Sequence, residues 1–198
     1  MRDCTYLTHP EVLVAPEIPV PDWSLSPKGR ERAFAFLRQP FLRSVRHIFS
    51  SAEKKALETA AIIVQHLNVE VVTDADMHEN DRSSTGFLPP EEFEKMADAF
   101  FASPEESVGG WEPALLAQQR IVTRVTSAID SLRTDGAALF VGHGAVGTLL
   151  KCHLMSLPID RAQDQPAGGG HFFRFSSTWL TARQAHPLPW RRMEIPEA

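Results

Sequence analysis

Three β-rich runs, residues 4–7, 45–50 and 137–141, each stop at a small, polar or glycine-framed turn, and the second and third turns open directly into helical periodicity. Strand, turn and helix in this order favour parallel strands with helices on both faces, because each parallel connection must cross over the sheet. The predicted fold class is α/β, a three-layer α/β/α sandwich around a mostly parallel central sheet. In such a sheet the carboxyl ends of parallel strands share one edge, and ligands bind in the crevice outside it. His9, the pair Ser50 and Ser51, and His143 follow these three strand ends. Two imidazoles from opposite ends of the sequence are therefore expected in one crevice.

The rest of the pattern fits the same architecture. Ser26 and Pro27 read as the cap and first position of a helix in which Ala33, Phe34 and Leu37 recur at helical spacing before Pro40 stops it. Ser51 can cap a second helix over residues 52–67, with Ala56, Ala60, Ile63 and Val64 as its apolar stripe. Residues 69–73 and 172–175 read as strands, and residues 90–102, 112–133 and 145–155 as helices; Ile121, Val125, Ala128, Ile129 and Leu132 form a core stripe in the longest. Residues 74–90 form a long polar connection, a type that in a compact domain is usually functional or disordered.

Composition narrows the function classes. A chain of 198 residues suits one domain over residues 1–198. Its 20 Lys and Arg against 25 Asp and Glu give a net charge of −5 with no block of like charge, which argues against a nucleic-acid stripe or a polybasic membrane patch. No apolar run approaches the roughly 18 residues of a membrane span, and the start lacks the pattern of a signal peptide, so a cytoplasmic protein is expected. Cys4 and Cys152 fit no disulfide or metal-ligand spacing and read as buried, reduced thiols. The apolar Trp179, Leu180, Leu188 and Trp190 either cover the core or form a homodimer surface.

The shared edge brings together parts that suit phosphoryl transfer. Helix N-termini offer unpaired N–H groups to an anion, a neutral imidazole can attack phosphorus, Lys54 or Lys55 supplies a cation, and a loop carboxyl group can protonate the leaving oxygen. With eight histidines a metal site is conceivable, but no H-E-x-x-H or C-x-x-C spacing occurs, and a reaction without metal or other cofactor is expected. Gly142, Gly144 and Gly147 also spell G-x-G-x-x-G after a strand, the dinucleotide pattern. That fingerprint usually marks the first strand-helix-strand unit, with an acidic residue about 20 residues on at the next strand end. Here it lies near the end of the chain, and Asp160 and Asp164 precede the expected strand.

Ser50 to Ala60, reading SSAEKKALETA, resembles the Ser-Ser-Pro-Leu-x-Arg-Ala-x-x-Thr-Ala segment of the histidine phosphatase superfamily, the phosphoglycerate mutase-like fold. Trp23, Leu25, Ser26, Gly29 and Ala33 resemble its segment before the first helix, and Val141 to Val146 its second histidine turn. The resemblance runs from Tyr6 to about Leu157 and implies a phosphoglycerate mutase-like sandwich. It implies that His9 is the phosphorylated nucleophile, that His143 contacts the transferring phosphoryl group, that Glu79 is the proton donor, and that Lys55 takes the place of a phosphate-binding arginine. Gly144 belongs to the same second turn.

The departures bear on activity. The family's Arg-His-Gly reads Thr8, His9, Pro10 here, and Lys55 lacks the planar fork of arginine, so both pocket arginines are missing. Losing one transition-state donor costs about 10² to 10³ in rate. Arg82, three residues after Glu79, is the first candidate replacement cation, with Ser83 as a further donor; Arg43, Arg46, Lys54, His171 and Arg174 are others. The expected function is phosphomonoester hydrolysis through a phosphohistidine, on a small phosphorylated substrate. A weakened or inactive relative that binds a phospho-ligand, inorganic phosphate or another anion is the first alternative, and mutase-type phosphotransfer the second.

Overall fold

The computed structural model describes residues 1–182 and 187–197. Six strands form one sheet in the order β3-β2-β4-β1-β5-β6: β1 (Asp3–Thr8), β2 (Val45–Ser51), β3 (Val71–Asp74), β4 (Ala137–Gly142), β5 (His171–Ser176) and β6 (Arg191–Arg192). β1 to β4 run parallel, while β5 pairs antiparallel with β1 and β6 antiparallel with β5. The fold matches the expected α/β sandwich, with a mixed edge added to its parallel centre.

Alternation along the strands divides the core between two faces, as the period of two requires. Tyr6, Phe49, Phe140 and Phe173 face one cluster, built with α3 (Pro90–Ala102), α4 (Ala114–Ser131) and α5 (Gly144–Leu154). Leu7, Ile48, Leu139 and Phe172 face the other, built with α1 (Pro27–Phe36) and α2 (Lys54–Leu67). Leu188 lies in the first cluster with Trp179, Leu180 and Trp190 packed against it, so these residues cover core. Both cysteines are buried and free. Among the described residues no helix is long and apolar enough to cross a membrane.

Two local differences from the sequence reading matter for the crevice. β2 runs on to Ser51 because Ser50 and Ser51 pair with Thr73 and Asp74 of β3. α2 consequently begins at Lys54, and the Ser51 hydroxyl accepts the Glu53 N–H (3.2 Å) just ahead of it. The connection over residues 74–90 is ordered by a clamp: Arg120 of α4 donates to the carbonyls of Asp76, His78 and Glu79 and is itself paired with Glu112. That clamp holds Glu79 above the strand ends.

Candidate active site

β1 and β4 are neighbours with Thr8 opposite Gly142, which brings the residues that follow them, His9 and His143, side by side. Their ring centroids lie 5.3 Å apart in an edge-on arrangement. The His9 backbone is pinned on both sides, its N–H donating to the Gly142 carbonyl (2.9 Å) and its carbonyl accepting from Gly170 (2.9 Å). Gly169 packs beside it so closely that a Cβ would lie 2.4 Å from the His9 carbonyl oxygen.

The two imidazoles are fixed by opposite nitrogens. His9 Nδ1 meets the Pro10 carbonyl at 2.8 Å, and since a carbonyl only accepts, this nitrogen carries the proton and Nε2 carries the lone pair. Burial, aided by the Lys55 ammonium, pushes the His9 imidazole down to about 4, so it is neutral near pH 7. His143 is fully buried. Its Nε2 lies 2.8 Å from Ser51 Oγ and 3.5 Å from Glu53 Oε1, while its Nδ1 has no partner. Burial pushes it down to about 3, against the upward pull of Glu53 and Glu79.

Tyr6 explains the glycines around His143. Its hydroxyl accepts the His143 N–H (3.1 Å), and a Cβ at Gly142 or Gly147 would lie 2.3 or 2.5 Å from Tyr6 atoms. At Gly144 a Cβ would meet Gln165 Nε2 at 2.5 Å. The G-x-G-x-x-G spacing here makes room for a buried tyrosine and a loop glutamine, with no pyrophosphate needed to account for it.

The ionic groups are largely spoken for. Lys55 is buried, with its ammonium donating to the Val20 carbonyl (2.9 Å) and to Glu53. Burial acts against the Glu53 carboxylate, but the His143 ring, the Lys55 ammonium and the Glu79 N–H outweigh it and hold the acid down at about 2. Glu79 caps α5: its oxygens accept from Ala145 (3.1 Å) and Val146 (3.0 Å), and also from Asn80 (3.1 Å). A carboxylate at this helix end satisfies N–H groups that would otherwise be orphaned.

A cavity of about 650 Å³ opens over His9, lined by Glu79, Arg82, Gly144 and Gln165 together with the aromatic Phe93, Phe100 and Trp111. The Arg82 guanidinium lies over the Phe93 and Trp111 rings, 5.1 and 5.7 Å from their centroids. Among the described residues no three His, Cys, Asp or Glu side chains cluster to hold a metal ion.

The sequence profile of the histidine phosphatase superfamily (branch 1) matches residues 18–173. The chain belongs to this superfamily. No curated protein sequence matches it, but solved structures do. A mycobacterial glucosyl-3-phosphoglycerate phosphatase with inorganic phosphate superposes at a TM-score of 0.75 and 20% identity, over 98% of this chain and 100% of that one. YhfR of Bacillus stearothermophilus gives 0.75 and 22%, over 88% and 90%. A phosphoserine phosphatase of Entamoeba histolytica in complex with 3-phosphoglyceric acid gives 0.71 and 18%, over 89% and 91%.

Within this member of the superfamily, several expected phosphate-binding residues lie elsewhere or are engaged. Thr8 is buried, and its hydroxyl donates to Gln165 Oε1 (2.7 Å) while accepting the His171 N–H (3.0 Å), so its hydroxyl is engaged within the protein. Ser83 is exposed on a neighbouring cavity, across the Glu79 to Arg82 segment from His9. Arg43 and Arg46 sit at the opposite end of β2, where Arg46 donates to the Arg43 and Val45 carbonyls. Arg174 lies over the Phe41 ring and pairs with Glu197, and Lys54 is exposed. His171 lines a separate cavity with Arg32 and Trp190. Glu53 and Gln165 join the site without having stood out in the sequence. Glu53 offered only the signal of an acid at a helix start, and Gln165 is brought in by a loop from far along the chain.

Proposed function

We propose that this histidine phosphatase hydrolyses a small phosphomonoester through a phosphohistidine at His9. The observation that carries the reading is the bond from His9 Nδ1 to the Pro10 carbonyl, which leaves a neutral imidazole presenting its Nε2 lone pair at the cavity. Nε2 attacks phosphorus, the bond to the leaving oxygen breaks, and water then attacks the phosphohistidine and releases phosphate. Glu79 is the proton donor in this scheme: its carboxyl group has to come off the α5 N–H groups and carry a proton, which it gives to the leaving oxygen and regains from the water that attacks the phosphohistidine. Gly144 and Arg82 line the space the substrate fills, and Lys55, which is outside that lining, acts on His9 as a nearby buried charge. Relatives named for glucosyl-3-phosphoglycerate and phosphoserine support a small phosphorylated substrate. Hydrolysis fits better than mutase transfer, which must retain and rebind a phosphoglycerate between charged contacts this pocket lacks.

Phosphate release from an aryl phosphate between pH 5 and 8 tests this. The native protein should release phosphate at least about 10³-fold faster than His9→Ala, as removal of a covalent nucleophile elsewhere does. Equal rates would sink the enzyme reading. The engagement of Thr8 by Gln165 and of Lys55 by Glu53 favours a second reading in that event, a weakened relative that binds an anion without turnover. Calorimetry with inorganic phosphate distinguishes it, since binding without His9-dependent release is its signature.

A further inference from the structure

Glu53 is a nearly buried carboxylate that the histidine phosphatase segment does not call for, since the family has leucine at this position. It is held from three directions: Oε1 accepts the Glu79 N–H (2.9 Å), Oε2 accepts from the Lys55 ammonium, and Oε1 stands 3.5 Å from His143 Nε2. The Ser51 hydroxyl closes on the same nitrogen at 2.8 Å. The other nitrogen of that ring, Nδ1, is buried without a partner, and the ring lies edge-on to His9. A buried nitrogen with nothing to bond is costly unless a ligand completes it.

We infer that Glu53 is a positioning residue for His143: from 3.5 Å, beside the Ser51 hydroxyl that meets Nε2 directly, its carboxylate favours the proton on Nε2, so that His143 becomes an imidazolium when a phosphoryl group enters and supplies the cation that position 8 lacks. This rests on the crevice being a phosphoryl-transfer site. The proton count closes without an added reactant. A phosphomonoester has its second pKa near about 6 and so enters partly as the monoanion. It passes its proton to His143 Nδ1, leaving a dianionic phosphoryl group beside an imidazolium whose two N–H groups face Glu53 with Ser51 and the ligand.

The charges facing the ring come from every neighbouring element. Glu53 ahead of α2 and Glu79 above α5 favour the imidazolium, while His9 after β1, Lys55 in α2 and burial oppose it. In the free protein burial prevails and the ring is neutral. A phosphoryl dianion in contact adds negative charge on the side where Nδ1 is bare. An acid behind a histidine that orients the ring and stabilises its charged form has precedent in hydrolase triads.

The rival role for Glu53 is counter-ion to Lys55, and kinetics on an aryl phosphate with E53Q, K55M and the double variant separate the two. E53Q should lower kcat/KM by about 10- to 100-fold, the size of loss seen when the outer partner of a metal-bound histidine is removed. It should also move the alkaline limb of the pH profile to lower pH, because the imidazolium loses support, and the double variant should stay as low as E53Q. Recovery of native rate and profile in the double variant, or E53Q at or above native activity, overturns the inference. Nitrogen-15 spectra of His143 read the same point without turnover. The native ring should be protonated at Nε2 alone and at both nitrogens once vanadate is added, whereas E53Q should remain singly protonated. A native free ring protonated at Nδ1 overturns the inference whatever the turnover. Absent phosphate release alongside a native Nε2–H ring that E53Q alters sinks the phosphatase reading while supporting the hold of Glu53 on His143.

Discussion

His9 and His143 occupy equivalent places after adjacent parallel strands, yet their surroundings are inverted. His9 is fixed through Nδ1 by its neighbour's carbonyl and presents Nε2 at a cavity. His143 is fixed through Nε2 by Ser51 and Glu53, is fully buried, and keeps Nδ1 bare. One surrounding delivers a lone pair; the other can receive and hold a proton. Position in a sheet thus brings two imidazoles together, but the atoms behind each ring decide its chemistry.

The strongest way to break this comparison is to remove the proton-holding ring while keeping the nucleophile. His143→Gln should lower kcat on an aryl phosphate by about 10² to 10³, the cost of one lost transition-state donor. Acid-labile phosphate should still be trapped on His9, more slowly. A variant with native kcat would mean that His143 only packs beneath the nucleophile.

The inversion was not legible in the sequence, although the sheet edge was. Strand alternation and the serine and glycine turns place His9, Ser51 and His143 at one edge because hydrophobic period and connection rules are local or nearly so. The burial of Glu53 is not local. An acid at a helix cap normally sits in water, and this one is enclosed because the turn over Val20–Asp22 covers α2 while the clamped 74–90 loop closes from above. Thr8 departs from expectation for the same reason: its engagement depends on Gln165, a residue 157 positions away. Arg82, by contrast, lines the cavity with His9.

Acidification tests the buried side of the comparison. The unfolded imidazole binds its proton near 6.5, the folded His9 and His143 only near about 4 and about 3, so between these values the unfolded state holds more protons. Stability should therefore fall as pH drops below 6.5 and level off once the folded rings titrate. Glu53 acts in the same direction, its contribution present above 4.5 and lost toward about 2. One extra proton on the unfolded chain costs about 1.4 kcal/mol for every pH unit of acidification. Urea unfolding between about pH 7.5 and 4.5 should accordingly show a loss on the order of 2 to 3 kcal/mol for each ring. His9→Gln and His143→Gln should each remove their share of this loss, and a native slope in either variant would mean that burial does not hold that ring neutral.

The smallest effect is expected at the cavity wall. Arg82 stands over Phe93 and Trp111, whose ring faces draw on its charge. A cation over two aromatic rings is stabilised by about 0.5–1 kcal/mol at a partly exposed site. Arg82→Ala should therefore raise KM for an aryl phosphate several-fold and weaken inhibition by inorganic phosphate to a similar degree, with kcat changed less. That split would identify a residue that gathers the anion at the mouth while His143 acts at phosphorus. If kcat falls as steeply as in His143→Gln, the guanidinium reaches the transferring group after all, and the cation missing at position 8 is supplied from the loop instead of by a protonated ring. If KM and inhibition are both unchanged, Arg82 serves only to close the aromatic wall, and the anion meets no free guanidinium between the cavity mouth and His9.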